Sequence, residues 1–231
     1  MREISKKELC HERLGDGFQA ALSEYDTQQR LSVLVHDFLT DEMVVGRRSL
    51  EVGAGLGYFS ERLQERGAKV VATDVGENLL SRVRSRVGCE CIKVDALALS
   101  EYFGPSSFDL VLSSECIEHT PSPDEALRQM ARVLKPGGYL SVSTPNVVWS
   151  PVVSMATRLG LRPFDGFENF NSFGRIRAVL ASEGVEVIRE RGLHLFPFQL
   201  GMHPLSRWCD NHFQFLRTCM INLCVLARKS V

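Results

Sequence analysis

No stretch of this sequence is apolar for long enough to cross a bilayer: the longest nearly unbroken run, residues 219–227, is interrupted by Asn222 and falls far short of the roughly 20 residues that a span requires. Residues 1–17 carry charges throughout and lack the apolar core of a secretory signal, so a cytoplasmic location is expected. The seven cysteines, at 10, 89, 91, 116, 209, 219 and 224, are odd in number and include no Cys-x-x-Cys. Neither a disulfide framework nor a zinc knuckle is implied. Net charge is almost absent, at −1 from 27 Lys and Arg against 28 Asp and Glu, and basic residues form no run. Dedicated nucleic-acid binders show a basic pI and clustered charge, so nucleic acid is disfavoured as a partner. Internal repeats and low-complexity tracts are missing as well.

What is present is a chain of 231 residues, 44% hydrophobic and 24% charged, average for a globular protein and enough for one domain with a real core. Its charge is split: residues 1–150 hold 17 Lys and Arg against 22 Asp and Glu, and residues 151–231 hold 10 against 6. From residue 48 onward, short β-rich runs alternate with segments of helical period. Runs at 48–52, 68–73, 89–94, 108–113 and 138–144 read as strands, with helices at 59–66, 77–87 and 124–134, and this alternation predicts an α/β parallel sheet with helices on both faces. Lys135-Pro136-Gly137-Gly138 reads as a helix stop followed by a turn. Ahead of this block, 11–39 reads as one or two helices. Behind it, 147–160 is an apolar helical stretch interrupted by Pro151, 164–173 a loop with four phenylalanines, 175–183 a helix, and 185–195 and 219–229 strands. A single domain over 1–231 is expected, with N-terminal helices (1–44), a cofactor-binding core (45–146) and an acceptor-side lid with the last strands (147–231).

Glu51-Val52-Gly53-Ala54-Gly55-Leu56-Gly57 closes the first strand run and opens a helix. At such a place glycines let a ligand approach the backbone, and helix N–H groups point at it. The dinucleotide fingerprint G-x-G-x-x-G would need glycine where Tyr58 stands, which disfavours NAD and FAD. Glu51 would repel a pyrophosphate and suits a ligand with positive charge. Asp74 ends the second strand run, 21 residues after Gly53, where a carboxylate can accept both hydroxyls of a ribose. Asp95 ends the third, placed to accept from an adenine amino group.

With these residues the chain resembles the class I S-adenosylmethionine-dependent methyltransferases. LEVGAGLGYFS is similar to their first motif, VVATDV to the second, KVDA to the third, FDLVLSSECIEHT to the fourth and RVLKPGGYLSVSTPN to the segment after it. The resemblance implies a Rossmann-like seven-stranded sheet with the last strand antiparallel, 185–195 and 219–229 being strands six and seven. It implies S-adenosylmethionine as cofactor, held by Glu51, Gly53, Gly55, Gly57, Asp74, Asp95 and Ser114, the sulfonium supplying the positive charge that Glu51 favours. A small-molecule acceptor is expected, with a homodimer as the candidate assembly.

Glu115, Glu118 and His119 stand at i, i+3 and i+4, which on a helical turn presents three ligands to one divalent ion such as Mg, Mn or Zn. Two carboxylates so close would repel one another, so a cation or a proton must compensate. A base or orienting histidine without metal is the competing reading of His119. This E-x-x-E-H, followed by x-P-x-P, resembles the ubiquinone-biosynthesis O-methyltransferases, which methylate a phenolic hydroxyl of a polyprenyl-substituted ring. It also resembles the small-RNA 3′-end 2′-O-methyltransferases, in which two Glu and two His hold a metal. Residues 167–198 are similar to the first group and would supply His194 as a further ligand. The expectation is O-methylation of a small aromatic or lipophilic acceptor, with His119 and Glu118 catalytic and Glu115, Glu118, His119 and His194 as metal ligands. An RNA ribose methyltransferase is the alternative. Residues 147–173 and 196–215 are expected to cover the acceptor site, and phenylalanines 164–173 with Trp149, Phe196 and Phe198 form either core or an apolar acceptor pocket.

Overall fold

Apolar residues at strand and helix period draw the chain around one sheet. The computed structural model describes residues 24–158, 167–196 and 202–231. Strands β1 (Arg48–Val52), β2 (Lys69–Asp74), β3 (Glu90–Lys93), β4 (Phe108–Ser114), β5 (Leu134–Pro145), β6 (Val185–Leu193) and β7 (Asn222–Lys229) lie in the order β3-β2-β1-β4-β5-β7-β6. The first five pair in parallel, whereas β7 runs antiparallel between β5 and β6. This is the Rossmann-like sheet that the sequence predicts, reversed strand included.

The helices are α1 (Glu24–Leu31), which continues into a wide turn Ser32–Asp37, α2 (Asp41–Val44), α3 (Tyr58–Glu65), α4 (Glu77–Val87), α5 (Leu99–Phe103), α6 (Pro123–Val133), α7 (Ser150–Arg158), α8 (Phe173–Ser182) and α9 (His203–His212). Ser122 caps α6, its Oγ accepting from Glu125 N at 3.4 Å, and Pro123 fills the first turn, where its missing N–H costs nothing. The stripe Ala126, Leu127, Met130, Ala131 and Val133 then packs with Ile176, Val179 and Leu180 of α8 over Val111 of β4. On the opposite face Leu34, Val35, Phe38, Phe59 and Leu63 cover Leu110 and Leu112. Alternate residues of β4 thus enter two cores, as a central strand buried on both sides requires.

Several expectations are corrected. Lys135-Pro136-Gly137-Gly138 is no turn between elements: α6 passes directly into β5, and the extra residues form a bulge in which the register jumps from Phe108↔Leu134 to Leu110↔Tyr139, with Gly137 at φ +76°. Pro151 does not interrupt a helix but stands second in α7. Helix α5 is absent from the sequence expectation, being too short at 5 residues to show a period. Helix α9, His203–His212, is also absent from the sequence expectation. Strand β7 starts at Asn222 because Gln214–Cys219 is a 3-10 turn. The expected helical start before residue 24, Phe164 and Phe198 lie outside the described residues. Among the described residues no helix is long and apolar enough to cross a membrane.

At Gly138 a Cβ would stand 2.9 Å from Lys135 O and 3.0 Å from Asp109 O. Both are backbone atoms of the bulge and its partner strand. Gly138→Ala is expected to lower stability by about 1–3 kcal/mol, read from the urea unfolding midpoint; an unchanged midpoint would show that the bulge has slack.

Candidate functional site

The C-terminal ends of β1, β2 and β4 converge. After β1 the chain needs three left-handed residues, Gly53, Gly55 and Gly57 at φ +74°, +52° and +78°, which only glycine adopts without strain. Gly53 N and Ala54 N donate to Thr73 O at 2.9 and 2.8 Å, tying the loop to the end of β2. The buried Asp74 carboxylate completes the tie: Oδ2 accepts from Gly55 N and Oδ1 from Gly76 N, both at 2.9 Å. A carboxylate has about four lone-pair positions, so each oxygen keeps one for a ligand. Asp95 lies beyond β3, its Oδ1 accepting from Leu97 N at 3.0 Å. Glu51 is buried beneath the loop and accepts from Ser60 Oγ. Burial pushes its carboxyl up to about 8, against the hydrogen bond from Ser60.

The segment after β4 abuts this loop. A Cβ at Gly53 would stand 2.4 Å from Cys116 Sγ. Glu115 has a left-handed φ of +49°, and only Ile117–His119 winds into a 3-10 turn. The helical face assumed for Glu115, Glu118 and His119 therefore does not form. The Glu115 carboxylate turns toward the sheet, accepting from Ser143 Oγ of β5 at 2.9 Å and Asn222 Nδ2 of β7 at 2.8 Å. Glu118, buried, accepts from Thr144 Oγ1 at 3.4 Å. His119 points the other way, with Nδ1 3.1 Å from Phe167 O and Nε2 3.8 Å from Glu118 Oε1.

The cation between the carboxylates is Arg30 of α1, which sequence reasoning misses. Only 4% exposed, it donates through Nε and Nη2 to Asp26 Oδ2 at 3.1 and 2.8 Å and through Nη1 to Ser114 Oγ at 2.7 Å. Burial alone would raise the Asp26 carboxyl, yet Arg30 and His194 together hold it down at about 2. Burial raises Glu115 against the pull of Arg30. Glu118 is pushed well up by burial and by Glu115. His194, at the end of β6, puts Nε2 2.8 Å from Asp26 Oδ1. No three Asp, Glu, His or Cys side chains among the described residues form a metal-ligand group. The expected set of Glu115, Glu118, His119 and His194 does not fit a divalent ion, since their atoms are turned to Ser143, Asn222, Thr144, Phe167 and Asp26. With that set goes the ground for the RNA alternative. Local spacing could not reveal Arg30 or Asn222, because each arrives from a distant element.

The aromatic segment also divides. Phe173 is core, whereas Phe167 and Phe196 are exposed. Asn169 does the fastening: its N donates to Glu118 O at 2.9 Å and its Nδ2 to Thr120 O at 2.8 Å.

A family model described as a methyltransferase domain matches residues 50–142. Relatives named ubiquinone biosynthesis O-methyltransferase include a protein of Pseudomonas fluorescens (strain SBW25), 39% identical over 150 residues that cover 62% of each chain. Another, from Idiomarina loihiensis, is 37% identical over 108 residues, 44% of this chain and 43% of that protein. The chain thus spans 43–62% of the length of these curated relatives. A solved methyltransferase of Thermotoga maritima, described as a possible histamine N-methyltransferase, is similar in fold with a TM-score of 0.69 at 18% identity, covering 97% of this chain and 100% of that one.

Two outcomes are expected. Asp74→Ala removes the carboxylate that ties the loops and faces the expected ribose position, and unpaired buried donors cost about 1–3 kcal/mol each; calorimetric affinity for S-adenosylhomocysteine should fall at least about tenfold, whereas unchanged affinity in a folded variant would remove Asp74 from the site. Glu51 is held above its unfolded value of 4.5 at about 8, so it contributes stability that is full below the lower value and lost as pH rises through the upper one. Glu51→Gln should flatten that decline in urea unfolding across this pH window; an equal slope in both chains would show that Glu51 does not titrate there.

Proposed function

We propose that the chain is a class I S-adenosylmethionine-dependent methyltransferase, as the methyltransferase-domain match over residues 50–142 and the relatives named O-methyltransferase support, and that it transfers a methyl group to an oxygen of a small aromatic or lipophilic acceptor. The observation that carries this reading is the packing of the Glu115–His119 segment on the glycine loop, with Cys116 Sγ against Gly53. A donor held by Gly53, Gly55, Gly57, Asp74, Asp95 and Ser114 would present its sulfonium methyl beside Glu118 and His119. We read residues 1–231 as one domain serving this reaction.

Methyl transfer is an in-line displacement, and holding nucleophile and sulfonium aligned at about 3 Å supplies most of the acceleration. A phenolic hydroxyl, with a pKa near 10, also needs a base, which a neutral amine would not. His119 suits that role, because donation from Nδ1 to Phe167 O at 3.1 Å leaves Nε2 as the nitrogen that takes the proton. Glu118 Oε1 stands 3.8 Å from Nε2, beyond hydrogen-bond reach, where it would favour the imidazolium once the proton is taken. The name of the bacterial relatives supports oxygen as the target.

A lipophilic acceptor is supported by α7, which buries none of its residues although it contains Val152 and Met155, 54% and 62% exposed. Val148 and Phe167 nearby in the chain are 57% and 50% exposed. Joined into one patch, such exposed apolar side chains would suit a lipophilic ligand.

Incubation with methyl-labelled S-adenosylmethionine and catechols bearing short or long alkyl chains is expected to give O-methyl products, with the long-chain acceptor preferred. His119→Ala should lower kcat by about 10²–10⁴-fold with S-adenosylhomocysteine affinity kept, and Met155→Asp should raise KM for the long-chain catechol alone. Label appearing on nitrogen or carbon of competing amines or ring positions, with the catechols untouched, would contradict the reading.

A further inference from the structure

A pair of thiols stands beside the glycine loop, outside the site described above. Cys89 directly precedes the edge strand β3, and Cys91 is the second residue of that strand, opposite Ala72 of β2. Residues two apart on an extended chain share a face, and both side chains pack with Val87 against Ala54, Ala72 and Val83. Ala54 belongs to the glycine loop and Val83 to α4, so the pair lies where loop, sheet and helix join.

The two sulfurs are arranged to share a ligand. Cys91 Sγ donates to Cys89 O at 3.5 Å, and Cys89 completes a thiol–thiol hydrogen bond to Cys91. Each is half-buried and in no disulfide, which leaves a path from solvent. A disulfide between them does not suit the backbone. Side chains two apart on a strand stand about 6–7 Å from each other at a rise of about 3.3 Å per residue, whereas a disulfide requires about 3.5–4.5 Å between Cβ atoms. Burial also pushes the Cys89 thiol up to about 12 and raises Cys91, which keeps both from acting as thiolate nucleophiles at neutral pH. A bridging ion reaches further: two thiolate–metal bonds of about 2.3 Å, the length found for zinc, span about 4.6 Å between sulfurs.

Among the described residues no third Asp, Glu, His or Cys joins the pair, so a tetrahedral zinc centre or an iron–sulfur cluster lacks ligands. Two soft thiolates alone suit a monovalent d10 ion that accepts two ligands, Cu(I) above others.

We propose that Cys89 and Cys91 form a two-coordinate site for Cu(I), seated between β3, α4 and the glycine loop. On binding, both thiols release their protons to solvent, each sulfur gives a lone pair to the ion, and no electron is transferred. The product carries one negative charge beside the Arg84 guanidinium, which donates through Nη2 to Cys91 O at 3.1 Å. The site stands whether or not the chain transfers a methyl group.

The test is made without oxygen. The reduced native chain is loaded with Cu(I), dialysed against a large excess of glutathione and assayed for bound copper, beside Cys89→Ser, Cys91→Ser and, as a control, Cys219→Ser at the exposed cysteine. The native chain and Cys219→Ser are expected to keep one Cu(I) that Cys89→Ser and Cys91→Ser both lose. A native chain that keeps none against glutathione overturns the proposal, as does either site variant that keeps as much as the native chain. If a serine variant does not fold, crystals of the native chain soaked in Ag(I), which takes the same ligands, decide instead. Silver between Cys89 Sγ and Cys91 Sγ supports the site, and silver found only at other cysteines overturns it.

Discussion

Three carboxylates and one guanidinium are buried together between α1 and the ends of β4, β5 and β7, and the acceptor half of the molecule is arranged around that imbalance. An isolated carboxylate transferred from water to a protein interior costs several kcal/mol. Asp26 is ionised by direct contact with Arg30, Glu115 is held by Ser143 and Asn222, and Glu118 is left with its carboxyl displaced well upward. These assignments differ because the groups stand at different removes from one fixed charge. The same imbalance explains why α1, β4, β5 and β7, from distant parts of the chain, must meet: none can satisfy the cluster alone.

The donor half depends on backbone geometry instead. Three left-handed glycines and two N–H groups aimed at Thr73 O make a tight loop at the start of α3. Asp74 uses one lone pair of each oxygen to hold the loops after β1 and β2 at a fixed separation. The contact between Gly53 and Cys116 then joins the halves, since no side chain fits at Gly53. On the methyl-transfer reading, a donor in the first half and a proton acceptor in the second are neighbours because of that contact.

The sheet is legible in the sequence because its signals are local: the alternation of 48–144 with helices, the glycine spacing and the strand-end carboxylates each lie within one segment. Strand β5 is legible too but its start is not, since Pro and Gly in a bulge look like Pro and Gly in a turn. Spacing finds the acidic segment and then misassigns it, because spacing assumes a helix and Glu115 adopts φ +49°. The demand for a compensating cation is legible from the two carboxylates. Its identity is not, since Arg30 is separated from Ser114 by 84 residues and sits in a stretch whose helical period gives no hint of what the arginine faces.

Everything proposed for the acceptor side presupposes that the loop at Gly53–Gly57 and the carboxylate of Asp74 receive an S-adenosyl methyl donor. Native mass spectrometry of the purified chain tests this most directly. A one-to-one adduct with the mass of S-adenosylhomocysteine or S-adenosylmethionine is expected, retained on purification or formed on adding S-adenosylmethionine. No adduct at saturating S-adenosylmethionine, or uptake of a dinucleotide in its place, would contradict it.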